Sequence, residues 1–106
     1  MQIQVNTDNT IDGPERLVER VEMVIREGLA RFSDKITRVE LHLSDVNGDR
    51  GGNDKRCVIE VRPNGLDPVV TTEQADTIDK AVRSATHKMV SLLDSTFGKL
   101  SPRNNP

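Results

Sequence analysis

The apolar residues of this chain change their spacing in a fixed order, and that order constrains the fold more than any other feature. Met1, Ile3 and Val5 alternate with Gln2, Gln4 and Asn6, the period-two pattern of a strand with one buried face. Leu17, Val18, Val21, Val24, Ile25, Gly28 and Phe32 then recur every three or four residues, which predicts an amphipathic helix ending near Arg31 to Ser33. Period two returns with Val39, Leu41 and Leu43, and again with Cys57, Ile59 and Val61. A short strand over Pro68 to Thr72 is expected next. The longest helical pattern closes the chain, roughly Gln74 to Leu100, with Ile78, Ala81, Val82, Ala85, Met89, Leu92, Leu93 and Leu100 on one side.

Turn formers separate these segments. Asp12 is the expected cap of the first helix and Pro14 suits its first turn. Residues 46–54, VNGDRGGND, predict a long hairpin connection, and Pro63, Asn64 and Gly65 a tight turn. Thr72 is the expected cap of the second helix, with Asp76 in its first turn. The order is therefore β-α-β-β-β-α. The expected fold is α+β, a two-layer sandwich in which a four-stranded sheet carries both helices on one face.

Size and composition bound the rest. The chain has 106 residues, room for one domain around one core, expected over residues 1–100 with a disordered tail at 101–106. No apolar run approaches bilayer-spanning length, and the start MQIQVNTDN lacks the pattern of a signal peptide. With Cys57 the single cysteine, no intrachain disulfide forms, and a cytoplasmic protein is expected. The net charge of −2 argues against coating nucleic acid through bulk charge, so a nucleic-acid surface requires local segregation.

Catalytic candidates are sparse. Cys57 falls on the inward phase of its strand, where a buried inert thiol is the commoner outcome. His42 falls on the opposite face. Asp45, Asn47 and Asp49 imitate the start of a calcium loop, but Arg50 and Arg56 stand where glycine and glutamate are needed. No nucleophile motif, phosphate-binding loop or metal-ligand spacing occurs, and neither an enzyme nor a cofactor is expected.

The helices are more informative. Wound at about 100° per residue, the first helix places Glu15, Glu19, Glu22 and Arg26 on one flank of its apolar stripe. Arg16, Arg20 and Arg31 lie on the other, interrupted by Glu27. On the second helix Lys80, Arg83 and His87 cluster opposite the apolar side, with Lys88 on the shoulder. If the arginine flank faces the second helix, the two sets form one basic groove suited to phosphate backbone rather than bases. The same residues also suit solvated ion pairs four apart, Asp76 with Lys80 and Asp79 with Arg83. The expected open sheet face, with Arg38, Glu40, His42, Arg56, Glu60 and Arg62, reads as cross-strand ion pairing. Phe32 and Phe97 are the only aromatics. Both lie near helix ends, so the sheet lacks the stacking platform on which single-stranded RNA is read.

Over essentially its whole length the chain resembles the bacterial ribosome hibernation promotion factor and ribosome-associated inhibitor family. The most recognisable stretch is TTEQADTIDKAV, in which Ile78 and Asp79 are followed by Val82, Ala85 and Met89 on the family's helix pattern. The segment NDKRCVIEVRPNGLDPV, residues 53–69, looks like a shorter branch of that family. The resemblance implies a fold related in shape to double-stranded RNA binding domains. It also implies binding to the small ribosomal subunit where messenger and transfer RNA sit, which blocks translation in stationary phase or stress. By position His87 matches a basic site of the second helix, with Lys88 beside it. Arg83 stands where relatives often carry an acid and Ser84 where a lysine is common, while Leu92, Leu93, Phe97 and Lys99 replace a lysine-rich helix end. A second reading stays open: a protein–protein module with this fold and little RNA binding, homodimeric through Leu93, Phe97 and Leu100.

Overall fold

The computed structural model describes residues 1–11, 13–46 and 54–100, with 99 and 100 as backbone alone. Asp12, the centre of the 46–54 connection, the side chains of Lys99 and Leu100 and the tail 101–106 lie outside the described residues. The elements are β1 (Gln2–Thr7), α1 (Pro14–Gly28), a 3-10 segment (Ala30–Lys35), β2 (Ile36–Asp45), β3 (Lys55–Pro63), β4 (Val69–Ala75) and α2 (Ile78–Leu100). The sheet order is β1-β2-β3-β4, the order of the chain itself. β1 runs parallel to β2, so α1 serves as the crossover between them, and the other two pairs are antiparallel. The α+β architecture expected from the spacing is the one observed.

The inward rows show why the alternation specifies the fold. Ile3, Val39, Val61 and Val69 stand opposite one another across the four strands, and Val5, Leu41, Ile59 and Thr71 form the next row. Against them lie Leu17, Val21 and Ile25 of α1 and Ala81, Val82, Ala85, Met89 and Leu93 of α2, all buried in one cluster. Thr71 is the polar member of its row. Its hydroxyl donates to the Ala85 carbonyl at 3.1 Å, which ties β4 to α2. With so few aromatics the core is aliphatic, and each fully buried Leu, Ile or Val contributes about 1.5–3 kcal/mol.

Three boundaries differ from expectation, each for a local reason. α1 stops at Gly28, and the chain continues as the 3-10 segment. Leu29 and Phe32 are three apart and stay on one buried face in either kind of helix, so the apolar spacing does not mark the change. The residue at the start of α1 is Gly13, whose φ of 56° is left-handed and which supplies no side-chain cap. Pro14 follows as the first helical residue. β4 runs to Ala75, because β3 is long enough to pair Lys55 with Ala75. α2 is therefore capped by Thr77, whose hydroxyl accepts from the Lys80 N–H at 3.1 Å, rather than by Thr72.

Candidate nucleic-acid interface on the helical face

α1 and α2 lie side by side on the sheet and approach closely at Gly28. A methyl group on that glycine would stand 2.8 Å from Thr86 Cγ2, so the absence of a side chain sets the spacing of the helices. Above this close approach runs a groove lined by Val24, Glu27 and Gly28 from α1 and by Arg83, Thr86 and His87 from α2. Its floor is apolar and its walls carry charge.

The arginine flank of α1 does face α2. Arg20 of α1 meets Asp79 of α2 at 3.1 Å, and Arg31, in the 3-10 segment that follows α1, meets Asp94 of α2 at 2.6 Å. Each arginine thus arrives with a carboxylate. Asp79 takes Arg20, 59 residues away in sequence, instead of Arg83 one turn along its own helix. Arg16, Arg83 and His87 are exposed and have no carboxylate partner among the described residues.

Lys80 and Lys88 do not join the groove. Lys80 pairs with Asp76 at 3.1 Å, as its spacing suggested. Lys88 reaches Glu73 of β4 at 2.5 Å, where Ser84 also donates at 2.8 Å. The row through Ser84 and Lys88 therefore looks toward the β4 edge, one flank round from Arg83 and His87. The Lys88 ammonium first, and then the Ser84 hydroxyl, hold the Glu73 carboxyl below its ordinary value. The single wide basic groove anticipated from the helical wheel is two rows, each interleaved with acids.

The sheet face is more fully neutralised, though not by the expected cross-strand pairs. The register sets Arg38 opposite Arg62 and Glu40 opposite Glu60, so like charges face one another across β2 and β3. Neutralisation runs along each strand instead: Arg38 to Glu40 at 2.8 Å, and Arg62 to Glu60 at 3.9 Å. Arg38 also donates to Gln4 on β1. Arg56 stands opposite Ser44 and has no carboxylate partner among the described residues. Asp45 and Asp54 both engage Lys55, at 3.2 and 3.0 Å, so Asp45 faces an ammonium.

At one end of the groove the two aromatic rings meet, Phe32 and Phe97 with centroids 5.7 Å apart. The Arg31 guanidinium lies 4.5 Å from the Phe32 centroid and the Lys35 ammonium 5.3 Å from that of Phe97. This end of α2 is thus covered by its own chain: Leu93 is buried and Phe97 is held by Phe32. Leu92 remains exposed. Cys57 is buried, and desolvation pushes its thiol up to about 12. Among the described residues no group of three His, Cys, Asp or Glu side chains is placed to hold a metal ion, and no helix is long and apolar enough to cross a membrane.

The family model described as Sigma 54 modulation protein / S30EA ribosomal protein matches residues 3–101. The chain belongs to this family. Among solved structures it is similar to a ribosomal subunit interface protein from Coxiella burnetii, at 17% identity and a TM-score of 0.70, over 92% of this chain and 99% of that one. It is also similar to the N-terminal domain of Protein Y from Thermus thermophilus, at 18% identity and a TM-score of 0.72, over 91% of this chain and 99% of that one. At those identities the likeness establishes the shared fold. No curated protein matches.

Within this family fold, Arg83 and His87 line the groove, Arg16 and Arg20 line a separate cavity with Asp45, Lys55 and Ile78, Arg31 pairs with Asp94, and Lys80 and Lys88 turn to other acids. By spacing Asp76 and Asp94 bracket the basic cluster of the second helix, but spacing alone does not pair Asp79 with Arg20 or Asp94 with Arg31, nor set Lys35 over the Phe97 ring. Lys35 follows the end of α1 and carries no helical spacing to mark it. Asp79 and Asp94 have plausible partners or open solvent on their own helix, and sequence displays only such near neighbours.

Proposed function

We propose that this protein is a ribosome-associated factor that binds the small ribosomal subunit through its helical face and restrains translation in stationary phase or stress. Family membership supports a ribosomal partner. The observation that carries the choice of face is the distribution of unpaired cations among the described residues. Arg16, Arg83 and His87 stand free on the helices, while the sheet has Arg56 alone beside its neutralised arginines. A guanidinium matches a phosphate in a bidentate fork, so Arg83 and Arg16 suit ribosomal RNA backbone. The sheet offers no aromatic ring for unstacked bases, in keeping with recognition by shape and phosphate contacts. This role calls for no catalysis or cofactor and places the protein in the cytoplasm.

Sedimentation tests the reading. In extract from stationary-phase cells at low salt, the protein should travel with small subunits or whole ribosomes. A protein that stays at the top of the gradient under those conditions is not a ribosome factor. The homodimer reading has less support among the described residues, since Leu93 is buried and Phe97 meets Phe32, while the Leu100 side chain it also names lies outside them.

A further inference from the structure

We infer that Asp79 and Asp94 act as built-in competitors for RNA phosphate, holding Arg20 and Arg31 in internal pairs that binding must exchange. This rests on the helical-face reading above and adds a regulatory layer to it. One pair joins α1 to α2 and the other joins the 3-10 segment to α2, and both are about half exposed, with side-chain exposures of 54% and 50% for Arg20 and Asp79 and 60% and 51% for Arg31 and Asp94. Exposed pairs of this kind add little to stability. The helices are already fixed by the core and by the close approach of Gly28 to Thr86. These acids are thus poorly explained as structural ties.

Their position explains them better. A carboxylate presents two oxygens to a guanidinium much as a phosphate does. Asp79 accepts from Arg20 Nε and Asp94 from a terminal nitrogen of Arg31, so each takes one donor and sets a negative charge where RNA backbone would approach. Glu27, in the groove wall with Arg83 and His87, adds a third negative charge. An incoming phosphate gains the full fork of either arginine by releasing its aspartate, whose charge then stays nearby and repels it. Arg16 and Arg83, with no carboxylate partner among the described residues, engage phosphate first, and Arg20 and Arg31 follow by exchange. The result is a surface that binds reversibly and lets go readily as salt rises.

The test uses the full chain with Asp79→Asn and Asp94→Asn together, keeping side-chain shape while removing charge. Binding to purified small ribosomal subunits is measured by co-sedimentation over a salt series, beside wild type. A Glu15→Gln, Glu19→Gln control changes net charge equally on the outer flank of α1 and breaks no ion pair among the described residues. The expected result is tighter binding by the Asn variant, roughly 2- to 30-fold at low salt from two exposed pairs, with a smaller gain in the control. Binding by the Asn variant where wild type binds undetectably also supports exchange. If wild type binds and the Asn variant binds equally or more weakly, or the control gains as much, competition is overturned while the helical-face reading stands. If neither wild type nor the Asn variant binds, both fall.

Discussion

Cys57 sits on the inward row of β3 between Leu43 of β2 and Glu73 of β4, with no exposed surface. Burial alone raises its thiol to about 12, so at neutral pH almost no thiolate exists and no reagent reaches it. Labelling by a disulfide reagent should be slow in the native protein and become fast when urea unfolds it. Fast native labelling would mean the core opens locally around β3. Glu73 makes the opposite kind of statement. Its carboxyl is held down by Lys88 and then Ser84, so its pairing favours the folded state above the ordinary value of 4.5 and is lost as pH falls through the depressed one. Asp8 behaves alike, held down chiefly by the Thr10 hydroxyl. Lys88→Met should move the Glu73 titration, followed by carboxyl NMR shifts, upward toward the ordinary value and leave that of Asp8 in place. An unmoved Glu73 would show that the Lys88 ion pair is absent in solution.

At the scale of elements, the strands were legible because each buries one face, and alternation of apolar residues is the direct record of that burial. Val39, Leu41 and Leu43 could not be read otherwise. Register was not legible. Nothing in the chain announces that Glu40 faces Glu60, since that pairing depends on where the 46–54 connection returns the strand. The start of α2 is not legible for a related reason, as Thr72 and Thr77 have equal capping chemistry and only the length of β3 decides between them, whereas Pro14 marks the start of α1 as expected. The packing of helix on helix offers a sharper test. Gly28→Ala should destabilise by about 1–3 kcal/mol in urea unfolding, because the new methyl overlaps Thr86 Cγ2 on a stiff, buried side chain. Adding Thr86→Ser removes that carbon and keeps the hydroxyl, which donates to Val82 at 2.6 Å. The double variant should recover part of the loss. A Gly28→Ala protein as stable as wild type would show that the helices have room to spare.

For the whole molecule, the decisive quantity is how charge is shared between two faces of one thin sandwich. The spacing of residues puts Lys80 and Lys88 in one groove with Arg16, Arg20, Arg31, Arg83 and His87, whereas those two lysines turn to Asp76 and Glu73. Spacing does not show which cations are already spent. Arg20 with Asp79 and Arg31 with Asp94 pair over separations of 59 and 63 residues, and only the folded chain reveals such choices. The outcome is a family fold whose net charge is −2 and whose binding capacity rests on a few unpaired side chains. Salt dependence reads that capacity directly, since each phosphate that a cation neutralises releases bound counterions. The measurement is the affinity of wild type and of an Arg16→Ala, Arg83→Ala variant for small ribosomal subunits across a salt series. The prediction is that wild type binds with affinity falling steeply as salt rises. The variant should bind more weakly at low salt, with a log–log slope shallower by roughly 0.7–0.9 for each phosphate no longer neutralised. A variant with the affinity and slope of wild type would contradict binding through the helical face.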